Sequence, residues 1–576
     1  MKTENRDNRT ILALTLALVA TVALQSSAAT HYVSQTSPSP APPYSTPQTA
    51  AHNIQDAVDV AIDGDTVLVA PGDYDVTDQI TVTRGVRLQS TAGASQTFLT
   101  GEGSWCLAIS NALATADGFT LRRGPAGYAG GAVLVGGTIQ NCNFTNFYNG
   151  PSGAIWMSGG TVSNVVVQYL REPSPDSAAV YCSDSGLVTD SQILGIPGIN
   201  RNGGAIILVN SHLQNSVISG LLNASRVSGA AVSAFSSTVV GCLIRNNYNL
   251  GQGGGARLQD SLMDRCIVTG NTAGTVGLGT GGGGIFETNS IISDSLIISN
   301  RVVIGDPGTT HGGLGGGVYM QGGALLDCTV SGNARAPSGF PGGGGGVFAE
   351  SGGITNCIIY FNSGDPGSPS TNWYNVGPAT FDHCCTVPDP GGTGNITQDP
   401  QFADLASGNY HLASSSPCIG AGVVQPWMIG AQDLDGNSRT TGGRVDIGAY
   451  ERPAATPQEL VQGLIAEVNR LIAAGTLPHR HGNALLLILR AALNSINRGH
   501  GQAACGLTGA FIKIVQAFTS HGQLNGADGQ ALISAANNLR AALGCGRSMN
   551  PEEATEVGAG LANGDFQPLM NLMNAK

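Results

Sequence analysis

Charged and aromatic side chains are scarce in this 576-residue sequence. Lys, Arg, Asp and Glu make up 11% of it and Phe, Trp and Tyr 5%, whereas Gly occurs 84 times. So little charge excludes a disordered polyelectrolyte and a long coiled coil. Glycine does not recur at every third position, which excludes collagen. The formal net charge of −12 disfavours nucleic acid and anionic membranes as partners.

Long hydrophobic runs are missing beyond the N-terminus. There, Lys2, Arg6 and Arg9 precede the uncharged apolar stretch 11–24, and small residues end at Ala29. This order predicts a secretory signal peptide cleaved after Ala29. A membrane anchor is the alternative, but the apolar stretch is short for the roughly 20 residues that a spanning helix needs. We therefore expect a secreted or cell-surface protein, or a periplasmic one, with no transmembrane segment after cleavage.

A repeat dominates the middle of the chain. Its equivalent positions, 23–33 residues apart, are Cys142, Val165, Ser191, Ser216, Cys242, Cys266, Ser295, Cys328 and Cys357. A period of about 20–50 residues predicts stacked structural units. A β-propeller is the competing architecture, but each blade would need roughly 40–50 residues.

The residue before each equivalent position indicates the fold. The nine residues are Asn141, Asn164, Asp190, Asn215, Gly241, Arg265, Asp294, Asp327 and Asn356. All except Arg265 tolerate the left-handed backbone conformation, so we expect a one-residue bend between two short strands. Three strands per coil, stacked on those of the next coil, make a parallel β-helix. The fold class is therefore mainly β, with a helical module after it; the sequence offers no structural reason for Arg265.

Two side-chain series should run inside this solenoid. The asparagines Asn247, Asn271, Asn300, Asn333 and Asn362 are expected to hydrogen-bond to one another along it. Five of the equivalent positions hold cysteine, and these side chains are expected to be free buried thiols. Stacked equivalent residues have parallel Cβ vectors and lie too far apart for an unstrained disulfide. The sequence also contains no Cys-x-x-Cys pair of the kind that binds metal.

The chain after Pro453 is helical by its apolar spacing. Residues 464–485 match residues 511–532 at an offset of 47, which predicts two helical hairpins. Between the first pair of helices, His479 and His481 are expected in a solvated loop rather than at a metal. Near the N-terminus, before the first repeat, a short amphipathic helix is expected over residues 53–62, capped by Asn53.

Two parts of the sequence resemble known bacterial families. The segments Gly394–Phe402, Tyr410–Gly422, Asp433–Arg439 and Val445–Glu451 resemble the choice-of-anchor Q family, and the preceding repeats look like the pectate-lyase-like part of such proteins, which implies a right-handed parallel β-helix. That family is exported and often surface-displayed, with no settled activity, and no hydrophobic anchor follows here. The stretch Ala504–Ile512 resembles the FIMAH module of extracellular proteins, which implies an interaction role. In an oxidising compartment we expect Cys505 and Cys545 to form a disulfide.

These observations divide the chain into seven parts. They are a signal peptide (1–29), a Ser/Thr/Pro-rich segment (30–50), a parallel β-helix with an N-terminal helical cap (51–362), its choice-of-anchor Q-like C-terminal part (363–452), a linker (453–457), a FIMAH-like helical module (458–545) and a tail (546–576) whose weak patterning is typical of disorder.

Evidence for catalysis is weak. A lyase of the pectate type needs carboxylates for Ca²⁺ and a basic residue that takes the proton beside the uronate carboxylate. Asp260, Asp264 and Arg265 are the candidates, although plain surface pairing explains them as well. Asp433, Asp435 and Asn437 alternate and could bind Ca²⁺, but Arg444 stands where an EF-hand loop requires Glu, so a tight turn is the simpler interpretation. No other cofactor is expected.

The primary hypothesis is a non-catalytic β-helix that presents a binding face to glycans or other extracellular partners. The alternative is a lyase or glycoside hydrolase acting on acidic polysaccharide.

Overall fold

The computed structural model describes residues 28–545, except 104, 125–129, 148–152, 169–177, 196–204, 224–229, 276–280, 305–312, 337–342, 365–369 and 454. The chain divides into two compact units, residues 1–451 and 452–576, which are described separately. The expected signal peptide, apart from residues 28 and 29, and the tail 546–576 lie outside the described residues.

The first unit is a parallel β-helix whose strands form three main columns. The first column contains Ile80–Val82, Trp105–Ile109, Gly130–Leu134, Ile155–Ser158, Val180–Ser183, Ile206–Val209, Val232–Phe235, Ala256–Gln259, Ile285–Thr288 and Trp373–Asn375. The second contains Thr30–Val33, Thr66–Val69, Arg87–Ser90, Thr115–Asp117, Thr138–Gln140, Thr161–Ser163, Leu187–Thr189, His212–Gln214, Thr238–Val240, Leu262–Asp264, Ile291–Ser293 and Thr380–Asp382. Two long strands, Val318–Leu326 and Val347–Thr355, belong to both columns and join them into one sheet.

The third column is a 13-stranded parallel sheet, which a one-residue bend separates from the second column. It contains Gly72–Val76, Thr97–Gly101, Thr120–Arg123, Asn143–Thr145, Val166–Gln168, Gln192–Leu194, Val217–Ser219, Leu243–Arg245, Ile267–Thr269, Leu296–Ile298, Thr329–Ser331, Ile358–Tyr360 and Cys385–Thr386. A small parallel sheet follows it in the later coils, with strands Leu222–Asn223, Tyr248–Asn249, Thr272–Thr275, Arg301–Ile304 and Ala334–Arg335. The predicted parallel β-helix is confirmed.

The bend between the second and third columns is the predicted one. All nine residues of the left-handed corner row, as we call the series Asn141 to Asn356 given above, have φ between 47° and 64°. The residues just before them pair from coil to coil, as in Gln140 with Ser163 and Ser163 with Thr189. The equivalent positions that follow the bend are at most 2% exposed. The repeat register taken from the sequence is therefore correct.

The predicted asparagine series forms a hydrogen-bonded ladder in the core. Nδ2 of Asn247, Asn271, Asn300 and Asn333 each donates to Oδ1 of the next asparagine, at 2.9 to 3.0 Å. The ladder continues from Asn362 to Oδ1 of Asn372. The cysteines of the repeat are free and buried in the same core.

An N-terminal helix, α1 (Ile54–Val60), packs at the start of the solenoid. Oδ1 of Asn53 accepts the backbone N–H of Asp56 at 2.9 Å, which is the predicted cap. The helix is shorter than expected because it ends at Val60, and Ile62, predicted on its buried face, is 47% exposed. A short 3-10 turn, Pro47–Thr49, precedes it.

The chain turns back along the side of the solenoid after its last coil. Ile396 pairs with Cys385 and so closes the end, after which an antiparallel hairpin forms from Phe402–Asp404 and Asn409–Leu412. Short 3-10 turns occur at Leu405–Ser407 and Pro426–Met428. We call residues 415–451 the C-terminal segment. Its Cys418 and Ile447 pack in one apolar cluster with Ile358, so the segment covers an outer face as well as the end.

The second unit contains four helices among its described residues, 452–453 and 455–545. They are α2 (Pro457–Ala473), α3 (His479–Asn497), α4 (Gly501–Ser520) and α5 (Gly526–Ala542). The internal repeat appears in the two hairpin turns: Leu477 N–H donates to Leu471 O, and Leu524 N–H, 47 positions later, donates to Phe518 O. The expected loop around the histidines is wrong. Helix α3 begins at His479, and His481 is buried with its ring centroid 4.6 Å from that of Phe518.

Helix α4 is the one helix of the described residues with the length and apolarity of a membrane span, and half of it is buried among the other helices. The structure places a disulfide between Cys505 in this helix and Cys545, 40 positions later.

Reduction of this disulfide should destabilise the helical unit. We expect residues 453–545, expressed alone under oxidising conditions, to melt cooperatively by circular dichroism and to lose about 2–4 kcal/mol of stability on reduction, because the bond limits the unfolded chain. A Cys505→Ser/Cys545→Ser variant is the control and should melt like the reduced protein with or without reductant. Equal melts of the wild-type unit in both conditions would contradict the expectation.

Candidate functional site

The predicted residues Asp264 and Arg265 lie together at the left-handed corner row. Asp264 ends a strand of the second column, and Arg265 occupies the bend with φ of 48°. Their side chains form an ion pair, with Nε of Arg265 2.9 Å from Oδ2 of Asp264. Nη1 of Arg265 also donates to Oε1 of Gln432 at 3.0 Å. This contact with the C-terminal segment is the structural reason for an arginine in a row of Asn, Asp and Gly.

The later residues of the same row also contact the C-terminal segment. Asn356 exchanges two hydrogen bonds with the backbone of Val423, at 2.8 and 3.0 Å. Arg439 lies 3.3 Å from Asp294 and 3.1 Å from Asp327. The segment is therefore fixed along Arg265, Asp294, Asp327 and Asn356, and the earlier members of the row, from Asn141 to Gly241, are left exposed.

The third predicted residue, Asp260, is not part of this site. It is exposed at a different bend, between the strands Ala256–Gln259 and Leu262–Asp264, with φ of 48°. An aspartate tolerates this left-handed conformation, which accounts for its presence. The proposed catalytic group of three is thus not assembled.

Asp433, Asp435 and Asn437 form a tight turn in the C-terminal segment. Asp433 is fully buried; its Oδ1 accepts the backbone N–H groups of Asp435 and Asn437, at 3.1 and 2.6 Å. Its Oδ2 accepts the backbone N–H of Glu451 at 2.7 Å. Both oxygens face N–H donors, which leaves Asp433 badly placed to bind a cation. Within the described ranges no group of three or more His, Cys, Asp or Glu side chains could hold a metal ion. These residues do not fit Ca²⁺.

A groove of about 410 Å³ lies where the segment meets the corner row. We call it the corner groove. The solenoid contributes Asn215, Val240, Gly241, Cys242, Leu243, Arg265 and Ile267, and the segment contributes Leu434, Asp435, Gly436 and Tyr450. Gly241 has a φ of 64° like the rest of the row, but it carries no side chain, and a Cβ there would lie 2.6 Å from Oδ1 of Asn215. The missing side chain leaves the floor of the groove open.

A histidine–aspartate pair lies beside the groove. Nε2 of His411 is 2.6 Å from Oδ2 of Asp435, and Nδ1 is 2.6 Å from Oδ1 of Asn409. The imidazole stacks on Tyr450, with 4.1 Å between ring centroids. Burial raises the pKa of Tyr450 to about 12, with Asp435 and Asp433 acting in the same direction. The phenol therefore stays protonated at neutral pH.

The charged side chains that line the groove are already paired with neighbouring residues. Asp264 is bonded to Arg265 and accepts the hydroxyl of Ser293 at 2.8 Å. Asp435 is held by His411, and both ring nitrogens of that histidine have partners. A general base needs a free lone pair aimed at the substrate. This arrangement favours binding over proton transfer.

An exposed polar row leads along the solenoid into the groove. It consists of Asn141, Asn164, Asp190 and Asn215, and we call it the corner track. Nδ2 of Asn164 donates to Oδ1 of Asn141 at 2.7 Å, and Nδ2 of Asn141 donates to Oδ1 of Asp117 at 2.7 Å. Amide side chains that stack in this way present both donors and acceptors at regular intervals.

Sequence reasoning missed His411, Tyr450 and Arg439. A signal for Arg439 was present in the sequence. Asp294 and Asp327 occupy the corner on consecutive coils, and two stacked carboxylates repel each other unless a cation lies beside them. No comparable signal marked His411, whose partner Asp435 is 24 positions away.

Comparison with known proteins gives a fold likeness and no family. No family model and no curated protein matches the chain. A structure of pectate lyase Pel9A is similar at 13% identity and a TM-score of 0.33, over 74% of this chain and 97% of that one. The catalytic unit of a thermostable GH87 alpha-1,3-glucanase from Streptomyces thermodiastaticus strain HF3-3 is similar at 14% identity and a TM-score of 0.30, over 60% and 66%. The mannuronan C-5 epimerase AlgE6 A-module of Azotobacter vinelandii is similar at 13% identity and a TM-score of 0.28, over 56% and 94%. Similarities this low establish no activity and no family for the chain.

Proposed function

We propose that this is an exported bacterial β-helix protein that binds a glycan along the corner track and in the corner groove, without transforming it. One observation carries the proposal. An open groove of about 410 Å³ has amide, guanidinium, phenol and carboxylate groups at its walls, and its two charged side chains, Arg265 and Asp435, are paired with the neighbouring Asp264 and His411. A sugar offers hydroxyl groups that both donate and accept, which suits such walls.

The charge of the site favours a neutral glycan over an acidic one. Arg265 is the cation among the groove's lining residues, and Asp264 neutralises it. Asp435 adds a negative charge on the opposite wall, and the chain as a whole carries −12. A polyuronate would be repelled by this surface. We therefore expect hydroxyl recognition of an uncharged polysaccharide.

The sequence resemblances support a location of this activity outside the cell. The likeness of residues 394–451 to the choice-of-anchor Q family supports an exported, surface-associated role, as does the predicted signal peptide. The FIMAH-like helical unit would supply a docking function of its own. Neither part of the proposal depends on a cofactor.

Binding should be measured with the full mature chain. We expect retardation in affinity electrophoresis with neutral polysaccharides such as glucans and xylan, and none with polygalacturonate or alginate. Asn215→Gly should weaken binding about tenfold, because the groove loses an amide worth roughly 1–1.5 kcal/mol. Glycine tolerates the left-handed conformation, so the backbone is preserved.

Asn246→Gly is the matched control. Asn246 also has a positive φ, of 54°, and a Cβ on the glycine of the next coil would lie 2.6 Å from its Oδ1, as for Asn215. It does not line the groove. Its variant should bind like the wild type. Unsaturated or hydrolysed products that form with wild-type protein and disappear in Arg265→Ala would overturn the non-catalytic proposal in favour of a lyase or hydrolase.

A further inference from the structure

The C-terminal segment is anchored by an arginine buried among carboxylates. Arg439 is fully buried, with Nε 3.3 Å from Asp294 and Nη2 3.1 Å from Asp327, both in the corner row. Nε is also 3.5 Å from Oε1 of Glu451, which belongs to the segment. Nη2 further donates to the backbone oxygen of Gly448 at 2.5 Å. Three buried acids thus face one cation.

The cluster is not balanced when all its acids are ionised. Three carboxylates and one guanidinium would bury two net negative charges, which is costly in a medium that water does not reach. Oδ1 of Asp294, Oδ2 of Asp327 and Nη1 of Arg439 also have no hydrogen-bond partner. Protons on some of the acids would remove this imbalance of charge.

We propose that this cluster is a proton-operated latch: the segment stays on the corner row while Asp294 and Glu451 are protonated, and it detaches when they ionise. The segment carries one wall of the corner groove, including Asp435 and Tyr450. On the basis of the proposed glycan binding, the latch controls the site, because its release removes that wall.

The direction of the pH dependence follows from the raised pKa values of the buried acids. Burial, opposed in part by Arg439, raises the pKa of Asp294 from 3.8 to about 8 and that of Glu451 from 4.5 to about 8. Burial raises the pKa of Asp327 to about 6, again against Arg439. Acids whose pKa is higher in the docked state take up protons on docking. Docking is therefore strongest at low pH and weakens as the pH rises towards 8.

Other charged groups lie around the latch on the elements that pack against it. Asp294 is also influenced by Asp264 and Arg265, and Glu451 by Asp446. Oδ1 of Asp446 accepts the backbone N–H of Gly420 at 2.6 Å. Among these neighbours Arg265 is the cation, and it is paired with Asp264, so it does not balance the buried acids.

Hydrogen exchange of the full chain tests the latch without any glycan. Amides in peptides covering residues 421–451 should lose protection as the pH rises from about 6 to 8, after correction for intrinsic exchange. Because two protons are bound on docking, the docking equilibrium should change by up to about 100-fold per pH unit near neutrality and level off above about pH 8.

Two variants of the acids make the test quantitative. Asp294→Asn mimics the protonated acid and should reduce the slope to about tenfold per pH unit, and Asp294→Asn/Glu451→Gln should nearly abolish it. Glu287→Gln is the control. Burial in the solenoid core raises the pKa of Glu287 to about 8 as well, but this residue is on a strand of the first column, and the variant should keep the wild-type slope in the segment.

The outcomes separate the latch from the proposed function. Protection that does not change with pH in the wild type, or a slope unchanged in the double variant, overturns the latch. If the double variant fails to fold, Asp294→Asn alone tests the latch, because its docking equilibrium should change about tenfold per pH unit instead of about 100-fold. Absence of glycan binding at any pH would contradict the proposed function and leave the exchange result intact. If both hold, glycan affinity of the wild type should fall from about pH 6 to 8, and that of the double variant should not.

Discussion

Replacement of Arg439 by Met is expected to lower the free energy of unfolding of the solenoid unit by about 3–5 kcal/mol at neutral pH. The substitution preserves much of the side-chain volume but leaves Asp294, Asp327 and Glu451 buried without their cation. The hydrogen bond to Gly448 is lost as well. Urea unfolding followed by tryptophan fluorescence measures the effect, because all four tryptophans lie between residues 105 and 427.

Arg265→Met is the matched control for this prediction. Arg265 also lies in the corner row and bonds the C-terminal segment, but a third of its side chain is exposed and its ion pair is with one neighbour, Asp264. Exposed ion pairs contribute roughly 0–1 kcal/mol. If the two variants lost equal stability, the buried cluster would have no special role in holding the segment.

The sequence was sufficient to predict the architecture because the evidence for it is local. A residue such as Asn164 or Asp190 tolerates a positive φ wherever it occurs, so its type alone marks the bend. The ladder from Asn247 to Asn362 follows from the same register, since stacking brings identical side chains together. These inferences needed no knowledge of which distant segments meet.

The candidate site could be predicted only in pieces. Asp264 and Arg265 on one side, and Asp435 on the other, were singled out from the sequence for different reasons. Arg265 and Asp435 line one groove only because the C-terminal segment docks on the solenoid, where Gln432 contacts Arg265 across 167 positions. A contact of that separation leaves no periodic trace in a single sequence. The same limit explains why Asp433 was considered as a Ca²⁺ ligand, although its oxygens accept backbone N–H groups of its own turn and of Glu451.

The ladder carries the second large prediction. Asn300→Ala is expected to destabilise the solenoid unit by at least about 3 kcal/mol, because each buried group left unpaired costs roughly 1–3 kcal/mol. Asn300 is fully buried, and its Nδ2 donates to Val268 O at 2.8 Å and to Oδ1 of Asn333 at 3.0 Å. Its Oδ1 accepts both the backbone N–H and Nδ2 of Asn271, each at 3.0 Å. Alanine removes both donors and the acceptor, so that Val268 O and the side chain of Asn333 lose a donor and Asn271 loses its acceptor.

The matched control for the ladder is Asn143→Ala. Asn143 is half-buried on the outer face of the third column, with a long 3.4 Å contact to the hydroxyl of Thr120, and its loss should change stability by no more than about 0.5 kcal/mol. Urea unfolding by tryptophan fluorescence again provides the measurement. Similar losses in the two variants would mean that water replaces the ladder at no cost, and that strand pairing and apolar packing alone hold the coils together. A large difference would show that each asparagine stabilises the coils on both sides of it, because the groups left unpaired belong to Asn271 on one coil and Asn333 on another.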